Sequence, residues 1–297
     1  AIEQLANLEV RAGEVCNDAK RGKALIQSAI DRLESLVKFT APAADQARAL
    51  QHANVERRAL LASAYKRLAA RLARDGTPRK DWEPVRKTLE LAKDACLAGE
   101  MSPASPAFNP YTVINGLQYA ALTGGVDVEE SIGLAERCQK VARQRFAGTG
   151  DFFDAIGPAD ALLAIRLLDG TLVQTAKELA LTYREAGEGV SSSARQFNSV
   201  VSHLRMLADL VRVRGDEGDV QLEAVLRDLA NGLDPSNGSG GDGKGADSEP
   251  PLDTPQPGGG TGGGGSAGAA PAAKPKARTR AKSSARNSPK TPGDGDK

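Results

Sequence analysis

Aromatic side chains are scarce: Phe, Tyr and Trp make up 4% of the 297 residues, with a single Trp. A core with so few rings must be built mainly from Ala and Leu, which suits close helix–helix contact better than a β-sandwich. Histidine is rarer still, with only His52 and His203. A Cys–His hydrolase needs an imidazole beside its thiol. His52, between Gln51 and Asn54 near a helix start, reads as an exposed or capping residue. His203 sits in SVVSHLRMLADL beside the apolar stripe of Val200, Leu204 and Leu207, and reads as a satisfied, partly buried side chain.

The three cysteines, Cys16, Cys96 and Cys138, are far apart, odd in number and lack CxxC spacing. They read as small buried apolar side chains in a reducing, cytoplasmic compartment. With two histidines and scattered thiols, no zinc site is expected, and no other cofactor is implied. No run of about 18 apolar residues is present, so no membrane span or membrane partner is expected. The formal net charge is only +1, which by itself points to no polyanionic partner. No GxSxG or QACxG context surrounds a candidate nucleophile. Gly124-Gly125 and the run 258–265 lack the Gly-Lys-Ser/Thr ending of a phosphate loop. No segment alternates apolar and polar residues long enough to make a strand. The pairs Glu129-Glu130 and Asp216-Glu217 fall at helix starts, where they complement the helix dipole.

What is present is helical periodicity. Helices are expected over 2–18, 21–38, 45–75, 80–100, 109–123, 127–147, 152–169, 171–187, 193–214 and 219–233. The breaks are mostly short, as at Gly124-Gly125, Gly148-Thr149-Gly150 and Gly215–Gly218. Short connections predict antiparallel neighbours. The reading is therefore an all-α chain, an irregular α-solenoid of stacked antiparallel helix pairs over 1–234. The pairs join 55–76 with 82–99, 110–122 with 128–146, 152–168 with 172–186, and 197–213 with 220–233. Each pair leaves apolar surface uncovered, so the pairs must stack to complete a core.

Composition changes at Asp234-Pro235. Residues 235–273 are rich in Gly, Pro and Ser and read as a disordered linker. Residues 274–297 read as a disordered basic tail. Its core, 274–290, holds seven basic residues and no acidic one. Lys274, Lys276, Arg278, Arg280, Lys282 and Arg286 are the candidate contacts for weak nucleic-acid binding. The competing expectation is a solubilising tail without a fixed partner, favoured by the lack of an aromatic side chain to stack on bases. The chain opens on Ala1 within a helical pattern and has no signal peptide, which reads as a fragment or processed form of a longer protein.

Leu61-Ala62-x-x-Tyr65 resembles the first-helix core of a tetratricopeptide repeat, and Thr88, Ala92 and Ala95 resemble a degenerate second helix. Successive first helices begin more than 40 residues apart, longer than the 34 of a regular repeat, so the array is irregular. The blocks ERRALLASAYKRLA (56–69), NPYTVINGLQYAAL (109–122) and DFFDAIGPADALLAIRLLDG (151–170) are similar to the repeat regions beside caspase-like CHAT protease domains in bacterial proteins. That resemblance implies a regulatory array attached to an effector domain of the same parent chain.

The candidate site follows from stacking. First helices line the concave side of such an array, which places Arg58, Tyr65, Lys66, Asn115, Gln118 and Tyr119 on a candidate face for a protein or peptide partner. Asn115 and Gln118 are amides in an otherwise apolar helix. They suit a peptide backbone and equally suit hydrogen bonds within the stack. Asp160 lies amid Ala and Leu and needs a partner, either Arg166 or a residue of the next pair. It reads as a fastener between helices, with a catalytic acid as the lesser alternative. Asp151 reads as an N-cap and Phe152-Phe153 as a packing anchor. The functional expectation is a non-catalytic interaction or regulatory scaffold.

Overall fold

The computed structural model describes residues 1–39, 48–98, 108–188, 190 and 193–234. The linker and basic tail expected over 235–297 lie outside the described residues, as does the side chain of His52. Among the described residues there are ten helices and no strand: α1 Ile2–Val15, α2 Ala19–Phe39, α3 Arg48–Asp75, α4 Trp82–Leu97, α5 Pro110–Thr123, α6 Val128–Thr149, α7 Phe152–Leu168, α8 Leu172–Glu188, α9 Ala194–Arg214 and α10 Asp219–Leu233. The chain is all-helical, and none of these helices is long and apolar enough to cross a membrane.

Local chemistry sets the helix ends. Asp127, Asp151 and Ser193 each accept a backbone N–H from the first turn of the helix that follows, and Ser193 forms a full capping box with Gln196. Gly150 and Gly215 end α6 and α9 in the left-handed conformation, with φ of 64° and 67°. Several boundaries differ from expectation by two or three residues, and two of the differences have a local cause. Helix α1 stops at Val15 because the Asp18 carboxylate accepts the N–H groups of Lys20 and Arg21, at 2.9 and 3.0 Å, and so starts α2. Helix α4 begins at Trp82 because Asp81 accepts the Thr77 N–H at 2.8 Å, closing a turn around Arg79.

Successive helices pack together from α1 to α10, with α8 and α9 the one step without substantial contact. Helix α5 touches α4, α6 and α7, and α7 touches α5, α6 and α8. Both are therefore covered on nearly every side: Ala155 through Ala161 of α7 and Gly116 through Ala120 of α5 are buried without interruption. Small residues permit the approach. A Cβ on Gly157 would lie 2.8 Å from Ala142 of α6, and one on Gly116 would lie 2.9 Å from Cys96 of α4.

Helix α9 also packs against α3, a contact that stacking in chain order does not require. The contact is a reciprocal clasp at two helix ends. The Arg212 guanidinium of α9 donates to Ala73 O at 2.7 Å and Gly76 O at 3.3 Å, at the end of α3. In return, Arg79 beyond α3 donates through its backbone N to Val213 O at 2.8 Å and through Nε to Gly215 O at 2.6 Å, at the end of α9. Arg79 holds φ of 63° to do so. Carbonyls at a helix C-terminus have no intrahelical partner and carry the negative end of the dipole, so a guanidinium suits them. Arg71 treats the end of α1 likewise, donating to Cys16 O at 2.9 Å, and Arg58 reaches Ala98 O at the end of α4. Replacing Arg212 with methionine keeps much of the packing and removes both bonds. The expected loss is about 1–3 kcal/mol in urea unfolding, with lysine restoring only part of it.

Candidate functional site: a polar joint in the helical core

Five helices send polar side chains to one region of the core. Gln118 of α5 has no solvent exposure. Its Nε2 donates to the backbone carbonyl of Asp160 on α7 at 3.0 Å. Its Oε1 lies 2.5 Å from His203 Nε2 of α9, so that nitrogen carries the proton. The Asp160 carboxylate accepts the Tyr183 hydroxyl of α8 at 2.7 Å. Lys66 of α3, itself buried, acts on Asp160 through its charge.

Burial decides the electrostatics. Desolvation pushes the Asp160 carboxyl from 3.8 up to about 7, although the Tyr183 hydrogen bond and the Lys66 charge both pull it down. Tyr183 is raised well above its ordinary value, first by burial and then by the charge and hydrogen bond of Asp160. Tyr65 is raised by burial and by the bond it donates to Glu34. Burial lifts the thiols of Cys96 and Cys138 to about 12, which leaves both protonated and weakly nucleophilic near neutral pH. Among the described residues no group of three His, Cys, Asp or Glu side chains is placed to hold a metal ion.

The six residues expected on a partner-binding face do not share one exposed surface. Tyr65, Lys66, Gln118 and Tyr119 are buried. Asn115 bonds back to Tyr111 O of its own helix at 3.0 Å, and Arg58 reaches Ala98 O of α4. The reason is packing on both helices: α5 is covered by α4, α6 and α7, and α3 by α1, α2, α4 and α9. For Gln118 the structure shows one of the two alternatives that the sequence left open, hydrogen bonds between helices. Asp160 does fasten helices, but through Tyr183 of its own helix pair, and neither Arg166 nor a residue of the next pair is the partner. Arg166 instead bonds Asp169 and Glu178. The basic-tail candidates from Lys274 to Arg286 lie outside the described residues.

Tyr183 is the member that the sequence reading passed over. Its signal was there: Leu172, Leu179 and Tyr183 recur seven and four apart and form the buried stripe of α8. A tyrosine on such a stripe needs a partner for its hydroxyl. The site can hold helices together and can respond to protonation of Asp160. Two turns earlier on α7, Phe152 packs edge-on against Phe153 and Phe197 with ring centroids 5.3 Å apart in each case.

No family model matches the chain, and no curated protein or solved structure matches it.

Proposed function

We propose that this chain is a non-catalytic interaction or regulatory scaffold, with helix pairs stacked in a tetratricopeptide-like manner. The observation that carries the proposal is the outer side of α1. Ile2, Leu5, Leu8 and Val15 are between 44% and 62% exposed and recur three and seven residues apart. The buried side, with Ala6, Val10 and Gly13, lies across the helix from Leu5, Leu8 and Val15, with Ile2 at its border. Single exposed apolar residues are ordinary, whereas a row along one helix has the spacing that an amphipathic partner helix reads. The partner expected is such a helix, from another protein or from an effector domain. The resemblance to CHAT-associated repeats would make that effector a caspase-like protease. Contacts between consecutive pairs support the stacking part of the proposal.

The test compares the full chain with a Leu5→Asp/Leu8→Asp variant in affinity capture, with thermal unfolding measured for both. The scaffold proposal expects one stoichiometric protein to be lost from the variant while its melting temperature stays within a few degrees. Capture that survives the double substitution but fails when 274–290 are deleted, and is abolished by nuclease, would move the function to the tail and to nucleic acid.

A further inference from the structure

We propose that the Asp160–Tyr183 pair is a proton-sensitive joint: it holds α8 against α7 while Asp160 carries a proton, and it loosens when that proton leaves. The inference stands apart from the scaffold proposal, since it concerns the interior and needs no partner.

Geometry carries it. Asp160 is the acidic side chain in the buried middle of α7, flanked by Ala159, Ala161 and Pro158. Its carboxylate is the acceptor for the Tyr183 hydroxyl, and that bond ties α7 to the buried stripe of α8. The groups that face it from each neighbour are these. Helix α8 presents Tyr183, which stays protonated. Helix α5 presents neutral Gln118, with Tyr111 acting on Tyr183. Helix α6 presents Gln139, which donates to Pro158 O at 3.2 Å, and the protonated thiol of Cys138. The cation within electrostatic reach is Lys66 of α3, and its pull does not overcome burial. On α7 itself Asp154 is a full turn and more away and bonds Thr149.

Ionising Asp160 thus puts an incompletely compensated charge between α7, α5 and α8. A buried charge is relieved by admitting water or by separating the walls of its site. Helix α8 is the wall that can move. It has the fewest buried residues of the three, Leu172, Leu179 and Tyr183, and packs on α7 and α10, whereas α5 is held between α4, α6 and α7 and α6 packs closely along α7. The proton's midpoint of about 7 puts the transition near neutral pH. His203 is one hydrogen bond away through Gln118, and histidine is the other side chain whose charge ordinarily changes in this range, so the two must be separated.

Hydrogen exchange on the full chain separates them, read at pH 6.0 and pH 8.5 and corrected for intrinsic exchange rates. Protection of residues 172–188 is expected to fall by up to about tenfold at the higher pH in the wild type. It should stay constant in Asp160→Asn and should still fall in His203→Gln. Equal protection at both pH values in the wild type would overturn the proposal, as would a response that vanishes in His203→Gln and persists in Asp160→Asn. The assigned carboxyl carbon of Asp160 in the wild-type chain provides a readout that needs no variant. Titration near neutral pH, in step with chemical-shift changes in α8, supports the joint; titration near 4 overturns it.

Discussion

Between pH 5 and pH 8 the Asp160→Asn chain is expected to gain about 2–3 kcal/mol of stability relative to the wild type, because it lacks a carboxyl whose proton is held more tightly in the native state than in the unfolded one. The sign follows from the raised value. With about 7 in the folded chain against 3.8 as the ordinary value, the native state binds more protons through this interval. Its stability therefore falls as pH rises from about 4 to about 7 and is level beyond, a span of about 4 kcal/mol at roughly 1.36 kcal/mol per unit. Asparagine keeps an acceptor for the Tyr183 hydroxyl and cannot ionise, so it removes the slope and preserves the shape. Urea unfolding of both chains at each pH provides the comparison. Other titrating groups contribute equally to both chains and cancel in the difference. A gap that stays constant across the interval would mean that Asp160 is ionised in the folded chain.

The second large effect concerns the crossing of α1 and α2. A Cβ on Gly13 would lie 2.6 Å from Gly22 O and 2.6 Å from Ile26 Cγ1, and one on Gly22 would lie 2.6 Å from Gly13 O. The obstacle in each direction is backbone, which cannot turn aside. Alanine in a helix ordinarily gains up to about 1 kcal/mol over glycine. Here the clash should reverse the sign, so that Gly13→Ala destabilises the chain by about 1–3 kcal/mol. Gly133 of α6 is the internal comparison, since its nearest neighbour for a new Cβ is an Arg137 guanidinium nitrogen at 3.6 Å. Gly133→Ala should be neutral or stabilising by up to about 1 kcal/mol. Opposite signs for one chemical change would locate the tight crossing at Gly13 and Gly22.

Much of the helical framework could be read from sequence because its signals are local. Asp151, Ser193, Gly150 and Gly215 act within one turn of the ends they set. The joint was less legible because its meaning is tertiary. Gln118 looks the same in sequence whether its helix faces solvent or three other helices. One cue did bear on it: α5 carries no charged side chain, and Val113, Ile114, Leu117, Ala120 and Leu122 cover more than half of its circumference, which marks a helix that belongs in a core. The clasp between α3 and α9 left no comparable trace. Arg79 and Arg212 are far apart in sequence and look like ordinary surface cations until the two helix ends meet.

The most direct test of a core tied together by its own polar side chains is a double-mutant cycle on Gln118 and His203, read by urea unfolding with partner capture measured alongside. Gln118→Leu, His203→Leu and the double variant are compared with the wild type. A hydrogen-bonded interior pair predicts a coupling of about 1 kcal/mol or more, with capture unchanged in whichever variants fold. Additive effects within about 0.5 kcal/mol, combined with loss of capture in Gln118→Leu, would contradict it and return Gln118 to a partner-binding surface.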